Sequence, residues 1–242
     1  MFKWSRITHT PIARAAIQQI LDNFCEFQLS YHNLNHIERM YEYLHETNEP
    51  YDECLDWAVL FHDIVYDDKP NKELRSAAKF SDMKEKYIGC DLSLLDEGHV
   101  AMLILQTENH AIQNLKYSAI IRADLNALRF HDEAKRNFEN ILRESMKLYK
   151  CSKVDAAHGS IKFMTQFLPT IERNKIKDTE NSKFWDDVIV GIKYTIQWAQ
   201  EVIDRDNELN REYESLLTQV RDLTALMKDA MNKQDTQPEK DI

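Results

Sequence analysis

YDECLDWAVLFHDIVY occupies residues 51–66 and is apolar on nearly every side when it is drawn as a helix. A helix without a polar face has to be enclosed by other elements, so these residues predict the buried central helix of a domain. Pro70 follows closely and predicts a loop, because proline lacks an amide hydrogen and its ring disturbs a helical turn.

The segments around residues 51–66 repeat apolar residues at helical spacing. They predict helices over residues 11–28, 34–47, 71–88, 96–115, 117–129, 131–149 and 153–168. Gly89 is expected to end the helix over 71–88, since glycine commonly follows a last helical turn. With 43% hydrophobic residues and only 4 Gly and 5 Pro among 242 residues, the chain can bury a sizeable core with few tight turns. We therefore predict an all-α fold, a helical bundle with a C-terminal helical extension.

The C-terminal part of the chain predicts three further segments. Residues 170–183 are polar and follow Pro169, so they predict a linker after a first domain over residues 1–169. Residues 184–231 predict a helical extension, and residues 232–242 predict a disordered tail. Within the extension, heptad spacing relates Leu209, Tyr213, Leu216, Val220, Leu223 and Met227. This spacing fits a coiled coil in a homodimer, or a long helix that packs back on its own domain, which is the simpler reading.

The formal net charge of −10 argues against a broad nucleic-acid surface, which needs clustered Lys and Arg. An anionic substrate would then have to be met locally, by a metal ion or by a few cationic side chains. The cysteines lie far apart in the sequence, at Cys25, Cys54, Cys90 and Cys151. We read them as reduced thiols of a cytoplasmic protein, and we find neither an apolar run of membrane-spanning length nor a signal-peptide pattern.

The dipeptide His62-Asp63 stands at the C-terminal end of the apolar segment, within FHDIVYD at residues 61–67. A carboxylate and an imidazole are costly to bury unless a partner satisfies both, and a divalent cation would do so. His131-Asp132 is a second copy in a polar context at an expected helix start, and we predict that it lies on the surface. The dipeptide alone has little specificity, so its neighbours have to decide between the copies.

Two further segments carry residues that suit the same ion. In YHNLNH at residues 31–36, His32 and His36 are four residues apart and would share one face of a helix. His36 is the better ligand of the two, and His32 is left open as a ligand, a group behind the ligands or a capping residue. In RADLNAL at residues 122–128, Asp124 stands among apolar residues and is expected to face inward, where a carboxylate needs a partner.

Taken in this order, the segments resemble the HD superfamily of metal-dependent phosphohydrolases. Members of that family carry a His on one helix, a His-Asp pair at the end of a second helix, and an Asp on a later helix. The similarity is strongest to a subgroup of predicted HD phosphohydrolases of bacteria and phages, and it covers about residues 10–170. The shared segments are YHNLNH, FHDIVYD, KELRSA at 72–77, the pair Thr107 and His110, and RADLNAL. The resemblance implies an HD domain whose metal ligands are His36, His62, Asp63 and Asp124.

The resemblance also implies at least one divalent transition metal. Imidazole nitrogen together with carboxylate oxygen suits Mn, Fe, Co, Ni or Zn. Some members of the superfamily hold a second ion with additional histidines, for which this chain offers His99 and His110. On one continuous helix over 96–115 these two would be roughly 16 Å apart, so a second metal is less favoured. We expect His110 to line a substrate pocket with Thr107, and His99 to be a surface residue.

Proton transfer needs an acid or a base beside the metal. Asp67 lies one helical turn beyond Asp63 and is the first candidate, and Glu73 is the second. In the related alarmone hydrolases the His-Asp pair is followed by Glu-Asp, whereas this chain has Tyr66-Asp67. Asp67 fits that pattern and Tyr66 departs from it, which argues against a shared substrate.

Cationic side chains near the matched segments are candidates for binding phosphate. Arg39 follows His36 by three residues and would lie near its helix face, and Arg75 lies in KELRSA. Arg122 and Lys79 are further candidates.

The resemblance implies hydrolysis of a phosphate ester or anhydride in a small soluble substrate, with a nucleotide as the default. One alternative is an alarmone or cyclic-nucleotide hydrolase, which would use the same ion in a pocket of another shape. Another is a non-catalytic HD domain that binds a nucleotide or a partner protein. A di-iron oxygenase on the same scaffold would need more inward-facing histidines than the sequence offers.

Overall fold

A computed structural model of the chain describes residues 6–87 and 95–234, and in this part every regular element is helical. The α-helices are α1 Pro11–Phe27, α2 Leu34–Glu46, α3 Glu53–Phe61, α4 Lys72–Lys86, α5 Glu97–Gln106, α6 Ser118–Leu125, α7 His131–Leu148, α8 Lys153–Lys177 and α9 Ser182–Gln234. Short 3-10 helices occupy Arg6–His9, Leu115–Tyr117, Asn126–Arg129 and Thr179–Asn181. The prediction of an all-α fold is confirmed, while Gly89 and residues 235–242 of the predicted tail lie outside the described residues.

Helix α3 lies at the centre of the core, as its apolar sequence predicts. Each residue from Trp57 to Phe61 is completely buried. Helices α1, α2, α4, α5 and α6 all pack against α3, so each of its faces has an apolar partner. The helix is shorter than the apolar segment, because it ends at Phe61 and His62 occupies the C-cap position.

Polar side chains at the helix starts set where the central helices begin. Asn33, Asp52 and Asp96 are the N-cap residues of α2, α3 and α5, and each accepts a hydrogen bond from a backbone amide of its own first turn. Such caps satisfy amide groups that have no partner within the helix. They place His36, Cys54 and His99 in the first turns of these helices.

The predicted linker over residues 170–183 is wrong, because α8 continues through Pro169 to Lys177. Ile171 is completely buried and Asn174 is almost so, although the surrounding sequence is polar. These two inward-facing residues are three positions apart, so they lie on one face of the helix. The compact unit that contains the core extends to Gln200, beyond the predicted domain end at residue 169.

The first part of α9 belongs to this compact unit and closely approaches the 3-10 helix that follows α6. A Cβ atom at Gly191 would lie 1.8 Å from the Leu128 carbonyl oxygen, so only glycine permits the approach. Trp185 is completely buried, and its indole nitrogen donates a hydrogen bond to Asp178. These contacts support the end of α6, where Asp124 lies.

From Glu201 the described residues, up to Gln234, belong to a second compact unit and are helical throughout. The six heptad residues of this unit are 57–66% exposed. The homodimeric coiled coil stays a prediction. Among the helices of the described residues, none combines the length and the apolar content that a membrane span needs.

Candidate metal centre

The four predicted metal ligands lie on three helices that pack together. His36 is in the first turn of α2, His62 caps the end of α3 with Asp63 directly after it, and Asp124 is in the last turn of α6. Helices α2 and α6 pack against each other and both pack against α3, which brings these helix ends to one place. His36 is 2% exposed and His62 is 1% exposed.

The side-chain atoms of this centre lie within a few ångströms of one another. His36 Nε2 is 3.3 Å from His62 Nε2 and 3.1 Å from Asp124 Oδ1. Asp63 Oδ2 is 3.0 Å from His62 Nε2 and 3.8 Å from His36 Nε2. His36, His62 and Asp124 form a group able to hold a metal ion. Asp63 is not part of that group, but its carboxylate lies beside both histidines.

The hydrogen bonds of His62 suit it to ligate a metal ion. Its Nδ1–H donates to the Val59 carbonyl oxygen at 2.9 Å, so in the neutral ring the lone pair is on Nε2, which faces the centre. A hydrogen bond behind the ring is the usual way in which proteins orient a metal-binding histidine. Burial lowers the pKa of His36 and favours its neutral form, which is the form that ligates.

The charged groups of the centre favour the binding of a cation. Burial works against protonation of His62, but the Asp63 and Asp124 carboxylates outweigh it and raise the pKa of His62 to about 9. Burial likewise opposes ionisation of Asp63 and Asp124, yet the surrounding histidines hold the pKa of both carboxyls below the usual value. A divalent cation would take the place of the His62 proton as the partner of the two carboxylates.

His110 also reaches the centre, although not along a helix. The predicted helix over 96–115 is wrong in its length, because α5 ends at Gln106, so the separation expected between His99 and His110 does not apply. His110 has a positive φ of 52° and its Nε2–H donates to Asp124 Oδ2 at 2.9 Å. Because Oδ1 of the same carboxylate faces His36, His110 orients Asp124 from behind.

Asn174 of α8 holds the loop that carries His110, and the sequence did not predict this role. Its side-chain amide donates to the His110 carbonyl oxygen at 2.6 Å and accepts from the Ile112 amide at 2.9 Å. Asn174 is 1% exposed, and it satisfies two backbone groups that burial would otherwise leave unpaired. The only sequence signal for it was an asparagine three residues after the apolar Ile171, within a polar segment.

Two further buried polar residues hold the turn that follows His62. The Asn23 side chain of α1 donates to the Ile64 carbonyl oxygen at 2.8 Å, and the Ser76 hydroxyl of α4 accepts from the Val65 amide at 3.2 Å. Ser76 belongs to the KELRSA segment, so this segment helps to fix the turn beside the centre. Sequence reasoning identified neither residue as part of the site.

His32 lies beside the centre and is paired with Glu144 of α7. The His32 Nδ1–H donates to Glu144 Oε1 at 2.5 Å, and the other carboxylate oxygen accepts from the amides of Tyr31 and His32. Although burial opposes ionisation, the His32 ring and these amides hold the pKa of Glu144 below its usual value. The His32 ring also stacks on Tyr66, with ring centroids 3.9 Å apart. The His32 ring centroid lies 5.8 Å from that of His36, so His32 stands beside the ligands and is held there by Glu144.

Asp67, the first candidate for acid–base chemistry, forms a bidentate ion pair with Arg75. The two oxygen–nitrogen distances are 2.8 and 2.5 Å. The hydrogen bonds from Arg75 lower the pKa of Asp67 to about 2, so the carboxylate is a weak base. Glu73, the second candidate, is half-buried in the first turn of α4.

The other predicted substrate-binding residues differ in their surroundings. Arg39 lies 3.5 Å from Glu133 and packs over the Tyr31 ring, within reach of the α2 side of the centre. The Thr107 hydroxyl donates to the Ile104 carbonyl oxygen of its own helix, at the C-cap of α5. Arg122 is 5% exposed and is committed to a buried network with Tyr43, Ser118, Asp178 and Glu49.

The second His-Asp pair lies on the surface, as predicted. The side chains of His131 and Asp132 are 53% and 103% exposed. A cavity of about 180 Å³ lies beside Glu49, Tyr51 and Asp52 at the turn between α2 and α3, and none of the predicted site residues lines it.

Comparison with known proteins found no match for this chain among protein-family models, curated proteins or solved structures. The resemblance to the HD superfamily therefore stays a prediction that rests on the motifs.

Proposed function

We propose that this protein is a metal-dependent phosphohydrolase that binds one divalent transition metal, of the group Mn, Fe, Co, Ni and Zn. His36, His62, Asp63 and Asp124 would hold the ion. The observation that carries the proposal is the convergence of two imidazole nitrogens and two carboxylates from three helices. Each carboxylate lies 3.0–3.8 Å from the two imidazole nitrogens, which are 3.3 Å apart. This donor set suits such ions better than Ca²⁺ or Mg²⁺, which prefer oxygen ligands.

A metal ion at this centre would polarise a phosphoryl oxygen and lower the pKa of a bound water. The chain itself supplies cationic groups beside the centre. Lys72 Nζ lies 3.8 Å from the centroid of the Tyr66 ring, and that ring also stacks on His32. Lys72 and Arg39 are positioned to attract an anionic substrate, and neither is fully buried.

Proton handling is better supported at His32 than at Asp67. In the His32–Glu144 pair the carboxylate accepts from Nδ1–H, which leaves Nε2 as the other ring nitrogen for proton transfer. Asp67 is engaged by Arg75 through both of its oxygens and has a low pKa. We therefore propose His32 as the proton carrier and Asp67 as a group that orders the loop after the His-Asp pair.

A nucleotide is the proposed substrate class, on the basis of the resemblance to the HD superfamily. The test is phosphate release from a panel of nucleoside mono-, di- and triphosphates, cyclic nucleotides and an alarmone, with metal-free protein and with added Mn²⁺ or Co²⁺. We expect hydrolysis only with metal, and the best substrate separates the nucleotidase from the alarmone and cyclic-nucleotide hydrolases. Bound metal without any hydrolysis across the panel would contradict the proposal and favour a non-catalytic binding domain.

A further inference from the structure

A second group of metal-ligating side chains lies at the opposite end of α3 from the centre. Asp52 is the N-cap residue of α3, Cys54 lies in its first turn, and His99 lies in the first turn of α5. One ligand atom from each lies within 4.8 Å of the others. Cys54 precedes His62 by eight residues, or about 12 Å along a helix, so the two groups cannot share an ion.

Helix caps fix the position of this group. Asp52 Oδ1 accepts from the Cys54 amide at 2.8 Å, and Asp96 Oδ1 accepts from the His99 amide at 3.0 Å. The Cys54 sulfur lies 3.8 Å from the Asp96 carbonyl oxygen, so the thiol points at the start of α5. The caps leave Asp52 Oδ2, the Cys54 sulfur and the His99 ring available as ligands.

One nitrogen of the His99 ring lacks a hydrogen-bond partner among the described residues. This nitrogen, Nε2, is buried, and the ring packs against Tyr117 with centroids 5.7 Å apart. A buried polar group without a partner costs free energy, and coordination of a metal ion would satisfy it. The sequence predicted His99 to be an ordinary surface residue; the residue is partly exposed, but its Nε2 is buried.

The surroundings of the thiol favour a cation. The carboxylates of Asp52, Asp96 and Glu53 lie close enough to the Cys54 thiol to act on it electrostatically. The same negative charges attract a cation, and a bound cation would hold the sulfur as a thiolate. Asp52 also lines the cavity of about 180 Å³ at the turn between α2 and α3.

We propose that Asp52, Cys54 and His99 form a second metal site for a thiophilic divalent ion such as Zn²⁺. Thiolate, imidazole and carboxylate are the ligands that zinc prefers, and three protein ligands leave a fourth position for water. On binding, the sulfur–metal bond forms as the thiol proton passes to solvent, with no change in oxidation state. Tetrahedral bonds of about 2.0–2.3 Å need ligand separations of roughly 3.3–3.8 Å, so a small closure of the group accompanies binding.

The test is a Co²⁺ titration of the full chain, followed by the near-ultraviolet charge-transfer absorption that cobalt shows only with thiolate ligands. The centre around His62 has no cysteine, so this absorption reports the second site alone. We expect the band in the wild-type protein and its loss on addition of Zn²⁺. Cys54→Ser should abolish the band, while Cys151→Ser, the matched control, should keep it.

Two more variants keep the proposal testable if Cys54→Ser does not fold. Asp52→Asn retains a good N-cap residue but removes the charge, and His99→Gln removes the imidazole from a partly exposed position. Each should weaken Co²⁺ binding in the thiolate band by at least tenfold. Absence of the band in the wild-type protein, or a band that survives Cys54→Ser, would overturn the proposal. Asp63→Asn should leave the band intact, which separates this test from that of the hydrolase.

Discussion

His62-Asp63 and His131-Asp132 are the same dipeptide in opposite surroundings. The first pair follows the most buried helix of the fold, and its side chains are 1% and 14% exposed. The second pair begins α7, where acidic residues are stabilised by the helix dipole and Asp132 is fully exposed. The His131 ring packs edge-on against Tyr194 and Trp198 and has no metal-ligating neighbours in the groups found among the described residues. The comparison teaches that burial, which leaves a carboxylate in need of a partner, makes the dipeptide a candidate ligand pair.

The largest expected difference between the pairs is in metal retention. Asp63→Asn keeps the size of the side chain but removes a charged ligand, so we expect loss of bound metal on dialysis and loss of hydrolysis. Asp132→Asn, the matched control, should retain metal and activity at the wild-type level. The measurement is metal content by mass spectrometry of dialysed protein. Equal metal content in the two variants would mean that the buried pair is not the metal site.

The second prediction concerns His110, which orients the ligand Asp124, and the loop that carries it. His110→Asn retains a residue that tolerates positive φ but cannot reach Asp124, so we expect metal affinity to fall roughly 10–100-fold with the fold intact. Asn174→Ala, which loosens the His110 loop, should act in the same direction. His131→Asn should leave the affinity unchanged. Competition with a chelator measures the effect, and a raised KM with unchanged metal affinity would instead indicate that His110 contacts substrate.

The third prediction concerns the pH dependence of metal binding. With its pKa raised to about 9, His62 is protonated at neutral pH and has to lose that proton when Nε2 binds an ion. Metal affinity should therefore rise about tenfold for each pH unit up to about pH 9, with close to one proton released. Calorimetry in buffers of different ionisation enthalpy measures the proton. His131→Gln should not change this slope, and an affinity that does not vary with pH would contradict protonation of His62.

The smallest expected effect is at Asp67, which is partly buried and is paired with Arg75. Because Arg75 holds it as a weak base, Asp67→Asn should retain the metal and lower kcat by less than about tenfold. Loss of a true general base costs roughly 10²–10⁴-fold. A decrease in that range would restore Asp67 as the proton carrier in place of His32.

The helices were predictable because apolar periodicity is a local property. The burial of α3 followed from its lack of a polar face, and the candidate ligands followed from titratable residues placed against apolar neighbours. The end of α5 was not predictable in the same way. The helical spacing of apolar residues continues in the sequence beyond Gln106, but α5 ends there. The loop that follows contains His110 and is bound by Asn174.

Buried polar residues were the ones that the sequence did not reveal. Glu144 and Asn174 stand in charged or polar segments and look like surface residues, yet they are 2% and 1% exposed. Their partners are far away in the chain: Glu144 binds the Tyr31 amide across 113 residues. A carboxylate or an amide shows its role only when the group that it pairs with is known.

The sequence by itself determined the helical class, the buried helix and the kinds of side chain available to an ion. Only the tertiary structure decided that Asp67 is engaged by Arg75, that His110 supports Asp124, and that Cys54 meets His99. The physical reason is range: helical periodicity depends on neighbours a few residues apart, whereas coordination and ion pairing depend on side-chain atoms a few ångströms apart. Which distant residues come that close is set by how the helices pack.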